Sequence, residues 1–585
     1  MADPIRIANC SGFFGDRLSA AKEMVEGGPI DVLTGDWLAE LTMLILARTR
    51  VKHPGGGYAR TFVTQMEQVM GSCLERGIKV VSNAGGLDPD GCAEAVARVA
   101  QQLGLHPKIA TVRGDDLVPR IPELIAEGAL RHFETGDPIK DASAFLTANA
   151  YFGCWGIVEA LENGADIVIA GRTTDAAVVC GPAAWHHGWS RTDWNALAGA
   201  VAAGHVIECG CQATGGNYSF FTEVREMTHV GFPWAEIAAD GSSLIGKHAG
   251  TGGEVSIGTV TSQLLYEIGG PRYLGPDVTT RFDTIRLEQA APDRVRMHGI
   301  QGEPPPPTLK VCLNRHGGFR NDIRMGLTGL DIEAKARLIE QTFWEACPYA
   351  PEDFAQVRTR LHRIDRQDPE TNEQAVAVWH LGVKDPDPKK VGRAFSNAMI
   401  ETALASIPGF FGLSGGPGEG RPYGVYEPAL IPASAVPQEV VLPGGEVRRV
   451  DSVIPVAPFS VEPAPGPSAK APGGPTSPAP LGAVFGTRSG DKGGNANLGI
   501  FARSDEAWAW LDVFLDSDRL RSLLPEVAGF EIERHRLPAL RSLNFVIYGL
   551  LEEGVAASTR QDPQAKGLGE WLRARLVEMP RALLP

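Results

Sequence analysis

Nothing in this chain reads as a membrane span: no apolar run is long enough to cross a bilayer, and the longest candidates are broken by Asp, Glu or Arg. The first residues, "MADPIRIANCSGFF", have no basic segment leading into an apolar one, so no secretory leader is expected and the chain is read as cytoplasmic. A disulfide frame is missing too. The nine cysteines are scattered, only Cys209 and Cys211 lie close together, and no second pair completes a zinc pattern. Reduced, buried thiols are the expectation. Basic charge is also short: the net charge of −15 argues against a nucleic-acid backbone or an anionic membrane as the main partner. No Gly-Lys-Ser/Thr closes any glycine-rich loop, so no ATP motif is present, and a nucleotide-dependent ligase or kinase is disfavoured. A small anionic ligand remains compatible with the acidity, because a few local cations and helix N-termini suffice to hold one.

What the chain does have is length, ordinary hydrophobicity and regular alternation. Its 585 residues, 43% of them hydrophobic, exceed what one core accommodates. Strands are read at 5–9, 30–35, 79–83, 108–112 and 166–171. Between them lie helices at about 16–26, after Asp36 (read as its cap), at 61–76, and on the face Cys92, Ala95, Val96, Val99 and Leu103. Such alternation implies a parallel sheet covered on both faces. The large domain is placed at 1–455, with subunits of about 1–205 and 206–455. Residues 410–424 read as a glycine-rich surface loop. The Pro/Ala/Gly-rich stretch 456–480 has no periodicity and reads as a linker. From 481 to 585 a small α+β unit follows, ferredoxin-like in its mix of two helical parts and antiparallel strands. It holds 13 basic against 14 acidic residues, so the excess acidity lies in the larger part. The fold class expected is therefore α/β: a parallel-sheet large domain with a second α/β unit, plus the small α+β domain.

Each strand of the first part runs into glycine with Asp or Asn: "CSGFFGDR", "GDW", "AGGLD", "RGDD" and "GRTTD". Ligands of open parallel sheets bind outside these carboxyl ends. Gly12, Gly15, Asn83, Gly85 and Gly86 are accordingly candidate ligand contacts, and Asp16, Arg172 and Asp175 candidate catalytic groups. The plain alternatives are a tight turn for each glycine, a helix cap for Asp16 and an internal pair for Arg172 and Asp175. "KHAGTGG" offers Lys247 and His248 for charge and proton transfer. Its Thr251, Gly252 and Gly253 offer amides ahead of a helix read over 256–267. His205, Glu208, Cys209 and Cys211 match no usual zinc set, and a strand with alternating burial is the safer reading there. In "GTRSGDKGGNANLGI", Arg488, Asp491, Lys492 and Asn495 crowd a segment that is otherwise a hairpin connection. More charge than a turn needs suggests an anion-contacting loop, brought to the larger domain's pocket or to a neighbouring subunit's. Deleting 481–585 is then expected to weaken ligand handling without unfolding the rest.

The segments "NCSGFFGDR", "SNAGG", "ADIVIAGRTTD", "GHVIECGCQATGGN", "KHAGTGGEVSIGTVTSQLLYEIGGPRYLGPDV" and "GTRSGDKGGNANLGI" together resemble the acyclic terpene utilization (AtuA) family, over nearly the whole chain. The resemblance implies catabolism of citronellol- and geraniol-type acids through acyl-CoA intermediates, and carries over no catalytic residues. The expectation is a carbon–carbon lyase (retro-aldol) or hydratase acting on a branched acyl-CoA or carboxylated substrate, with CoA as part of that substrate and a homo-oligomeric assembly. Asp175 or Asp16 would be the base, with His248 as alternative; Lys247 and the Thr251–Gly253 amides would stabilise the oxyanion, and Arg172 would hold a carboxylate. The metal is left open, a divalent ion on strand-end aspartates being compatible with the sequence. The alternative is a non-catalytic acyl-CoA-binding or scaffold component.

Overall fold

The computed structural model describes residues 3–53, 55–141, 145–413, 418–452 and 456–585. Five parallel strands form the heart of the large sheet: β1 (Ile5–Asn9), β2 (Val32–Gly35), β3 (Lys79–Ser82), β4 (Ile109–Arg113) and β5 (Ile167–Ala170), in the order β1-β2-β3-β5-β4. Their registers are in step, with Ile7 beside Val32, Val81 beside Val168 and Ala110 beside Val168. These are apolar residues on strands buried from both faces, as a helix-covered parallel sheet demands. The covering helices carry ordinary stop and start signals. Arg60–Arg76 ends at Gly77 in the left-handed region. Pro89–Leu103 starts behind Asp88, which accepts from the Gly91 N–H at 2.9 Å, and stops at Gly104.

Several boundaries differ from the sequence reading. The helix expected from Asp16 starts at Ala20, which leaves Leu18 exposed. The one expected from Asp36 starts at Glu40 with Ala39 at its cap position, so Asp36 is not a cap. The strand expected around Ile207 is the end of the helix Trp194–Ile207, whose residues from Ala196 on are all buried. A buried helix carries no amphipathic period to read.

Beyond residue 206 part of the chain extends the first sheet, and part forms sheets of its own, the largest of them with strands Gln356–His362, Val376–Asp385, Thr308–Thr328 and Arg421–Pro432. Pro233–Ile237, Ser243–Lys247, Arg294–His298 and Arg286–Ala291 add antiparallel to β1 in that order, and Gln438–Val441 and Val447–Val450 add on the β4 side. The result is an 11-stranded mixed sheet whose centre alone is parallel. The chain divides into two compact units, Met1–Asn314 with Tyr426–Pro585, and Arg315–Val425. Within the latter, the strand ending at Thr328 pairs with Val376–Asp385 and Phe410–Gly412, over a core containing Phe343, Trp379 and Phe395. The presumed glycine-rich loop thus begins as strand; its residues 414–417 lie outside the described residues.

The C-terminal domain begins earlier than 481, because Thr476–Pro480 pairs with Leu576–Pro580. Two prolines are tolerated there since the strand pairs on one side only. The last helix, Leu568–Arg573, is followed by the strand Leu576–Pro580. A four-stranded antiparallel sheet carries the hairpin Phe485–Lys492/Asn495–Ala502, which turns at Gly493-Gly494 with Gly493 in the left-handed region, and the pair Ser542–Ile547/Ile532–Leu537. Phe501, Leu537 and Leu540 join the core of the large domain, among Leu264, Leu265 and Ile268. Docking is therefore by shared core, which makes removal of this domain a matter of stability as well as of ligand handling. The linker before it is pinned, with Val461 N–H and the Ala464 N–H donating to Glu303 and to Asp283.

Candidate functional site

At the carboxyl ends of the parallel strands the side chains turn from apolar to charged, and they are held rather than loose. Just after β2, Asp36 is buried and accepts from Asn83 Nδ2 and from the Leu38 N–H at 3.1 Å; Asn83 Oδ1 in turn accepts from the Trp37 N–H at 2.9 Å. Following β5, Arg172 is only 2% exposed, donates to Asp175 at 2.7 Å and to the Thr173 carbonyl at 2.9 Å, and lies 4.2 Å from the Tyr151 ring. Asp115, after β4, accepts from the Arg172 N–H at 2.9 Å and from Asn149 at 2.8 Å. Glu40, the first helical residue after Asp36, accepts from the Tyr151 hydroxyl at 2.7 Å and faces Lys310 at 3.5 Å. Glu40, Lys310 and Asp175 keep 31%, 30% and 31% of their side chains open.

The C-terminal hairpin closes the same cluster. Arg488 lies 4.1 Å from the Tyr266 ring and hydrogen-bonds Gln212. Lys492 Nζ donates to the Glu267 carbonyl at 2.6 Å, and the Glu267 N–H donates to Asn497 at 2.8 Å. These two contacts hold Glu267 in a left-handed conformation (φ 56°) that a non-glycine residue seldom adopts. Lys566 bonds the Tyr266 hydroxyl and lies 3.5 Å from Glu267 and 3.7 Å from Asp491.

The groups set one another's protonation. Burial, with Asp175 beside it, pushes the Asp36 carboxyl well above the ordinary aspartate value. Burial and Asp175 do the same to Glu208. Asp491 is raised to about 7 by burial and by Glu267. Glu40 goes the other way: burial opposes its charge, but Lys310, Arg172 and the Tyr151 hydroxyl hold it at about 2. Neutral acids and a fixed carboxylate therefore stand together, which is how acid and base roles are divided in a site. Five cationic side chains, Arg172, Lys310, Arg488, Lys492 and Lys566, stand among these acids, whose raised protonation lessens the negative charge beside them.

The sequence model of a family described as acyclic terpene utilisation family protein AtuA matches residues 5–442, and that of the AtuA ferredoxin-like domain matches 479–578. The chain belongs to the AtuA family. Searches of curated proteins and of solved structures found no match.

Of the residues singled out in this AtuA chain, Asn83, Arg172, Asp175, Arg488, Asp491 and Lys492 come together. Asn495 sits at the hairpin's end, where it donates to Glu134 at 2.6 Å and accepts from the Gly549 N–H at 2.8 Å. Gly12 and Asp16 shape a loop: Asp16 accepts the N–H groups of Gly12 and Arg17, both at 2.8 Å, and a Cβ on Gly12 would lie 2.7 Å from the Cys209 backbone. Gly15 packs on Phe13. Gly85 lies against the Ala170 carbonyl, and Gly86 is left-handed between Leu46 and Gly57, so both read as close-approach glycines. "KHAGTGG" is bonded internally and not to the cluster. Lys247 donates to the Thr251 carbonyl at 2.7 Å and pairs with Asp293 at 3.4 Å, and His248 bonds the Met24 carbonyl at 3.0 Å. The amides of Gly252 and Gly253 donate to carbonyls of residues 225–229, which leaves them unavailable to an oxyanion. The following helix, Ile257–Leu264, is capped by Ser256.

The sequence reading did not single out Asp36, Glu40, Asp115, Lys310, Glu267 and Lys566, which stand in this charged cluster; it read His205 and Glu208 as structural, and both are buried. Among the described residues, one His/Cys/Asp/Glu trio has its ligand atoms within 4.8 Å of one another: Cys154, Cys180 and Asp277. The strand-end aspartates form no such trio, and both oxygens of Asp277 already accept the Cys154 N–H at 3.0 Å. A cavity of about 310 Å³ between Tyr218, Ser256, Phe501 and Arg541 shares no residue with the charged cluster, and its Arg503 is engaged in a two-pronged pair with Glu223.

Proposed function

We propose that this chain is a lyase acting on branched 3-hydroxy acyl-CoA or carboxylated intermediates of acyclic terpene breakdown, by retro-aldol cleavage or by the related hydration and dehydration. The observation that carries this reading is the buried pairing of a neutral acid, Asp36, with fixed charges of both signs at the strand ends. Both reactions pass through an enolate, which needs donors aimed at its developing oxyanion. Asp36 suits that role: Asn83 and the Leu38 N–H occupy one carboxyl oxygen, and the other, protonated, is left to donate. Arg172, Lys310, Arg488 and Lys492 supply the positive field for a ligand carboxylate or thioester, and Asp175 fixes the Arg172 guanidinium.

Purified full-length protein tested with a panel of branched 3-hydroxy acyl-CoA esters should convert at least one of them. Asp36→Ala, which removes that donor, should then lower kcat by roughly 100-fold or more, with KM little changed. Failure both to bind and to convert such esters sinks the reading; saturable binding without conversion in the wild type turns it into the scaffold role.

A further inference from the structure

The last turn of the helix Trp194–Ile207 delivers His205 to the cluster, and Glu208 follows three residues on. Their side chains are 1% and 7% exposed, and His205 Nδ1 lies 3.3 Å from Glu208 Oε1 without the alignment of a hydrogen bond. Neither ring nitrogen of His205, nor Glu208 Oε2, has a hydrogen-bond partner among the described residues. Buried polar atoms seldom go unpartnered, since nothing then replaces the water they gave up. The pair is nevertheless firmly placed. Rings of Tyr273 and Phe282 flank the imidazole at 5.2 and 5.3 Å, and Asn9 Nδ2 holds the Glu208 carbonyl at 3.2 Å. The charges acting on both side chains are those of the site, Lys492, Glu267 and Asp175, with Arg172 acting on Glu208 as well.

Resting on the functional reading above, we propose that His205 and Glu208 are the proton-transfer pair of this site, their unpartnered atoms meeting the ligand. In cleavage, the imidazole takes the proton of the 3-hydroxyl. The bond between C2 and C3 breaks, its electron pair passing into the thioester enolate as the carbonyl forms at C3. The Glu208 carboxylic acid then gives its proton to C2. The imidazolium proton crosses the 3.3 Å gap to the Glu208 carboxylate, and both groups regain their starting forms with no net proton gained or lost. Dehydration uses the same groups: the imidazole takes a C2 hydrogen, and the carboxyl protonates the departing hydroxyl. The starting forms are the ones their surroundings favour. Burial and Lys492 lower His205 to about 4, and burial with Asp175 keeps Glu208 protonated well above the ordinary glutamate value.

The probe is 3-hydroxy-3-methylglutaryl-CoA with full-length protein in D2O; calorimetry reads binding and mass spectrometry reads deuterium at C2 of the recovered thioester. Wild-type protein should incorporate deuterium. His205→Gln and Glu208→Gln should each lose incorporation by about 100-fold or more, with probe affinity within threefold of wild type. Glu208→Gln is nearly isosteric with the neutral acid and keeps the test decisive should His205→Gln fail to fold. Incorporation at the wild-type rate in either folded variant overturns the pair and leaves the functional reading standing. Wild-type protein that neither binds the probe nor incorporates deuterium overturns that reading and the pair with it.

Discussion

Asp115 ties two walls of the site together, because one of its oxygens accepts from both the Arg172 N–H and Asn149. Burial raises its carboxyl from the ordinary 3.8 to about 7, even though these two donors favour the charged form. Between those values the native state keeps a proton that the unfolded chain has released. Stability tied to this group is therefore fully present below about 3.8 and lost as the pH rises through about 7. An Asn side chain can offer the same oxygen to both donors without titrating. Asp115→Asn should thus flatten the fall in urea midpoint between pH 4 and 7, an effect on the order of a few kcal/mol. An unchanged pH profile would show that the group titrates normally. Asp36 makes the same point from the other side. Its Gly-Asp-Trp context looks like a helix start in one dimension, and only the pairing of β2 with β3 sets it beside Asn83.

Elements bring these residues together through close approach. The C-terminal hairpin lies on the end of the helix Ile257–Leu264 because glycines face that surface. A Cβ on Gly490 would sit 2.5 Å from the Tyr266 ring, and one on Gly499 2.7 Å from Leu265. Gly490→Ala should therefore push Tyr266 and Arg488 apart, at a cost of roughly 1–3 kcal/mol. Hydrogen exchange should quicken in Leu264–Glu267, while Trp508 and Leu511, in the C-terminal domain's own core, keep their protection. Equal protection throughout the variant would mean that the hairpin is not what holds Glu267. The sequence reads these glycines as part of a hairpin connection; in the fold they are strand residues where the close neighbour leaves no room for a side chain.

At the scale of the molecule, the C-terminal domain keeps a core of its own but lends Phe501, Leu537 and Leu540 to a core of the large domain, beside the charged cluster. Truncation at residue 475 would remove Phe501, Leu537 and Leu540 from that core and bare Leu265 and Ile268. At about 1.5–3 kcal/mol for each buried apolar side chain, the loss amounts to several kcal/mol. The truncated chain should melt well below the full-length protein, in addition to losing Arg488 and Lys492 from the site. A truncated protein as stable as the parent would restore the picture of an independent, loosely tethered module.

The alternation of strand and helix over the first part, the glycine-acid endings of its strands and the proline-rich stretch before a small α+β domain follow from local chemistry. Backbone hydrogen bonding, apolar period and turn preference act over a few residues, so the sequence by itself determines them, and with them the AtuA motifs. Which charges meet was not decided there. Lys310, Glu267 and Lys566 carry no motif, and His205 and Glu208 sit in a stretch with no amphipathic period. They become one cluster when residues hundreds of positions apart fold beside one another. Coulomb coupling and desolvation depend on distance through space rather than along the chain, and for that reason only the tertiary structure assigned them.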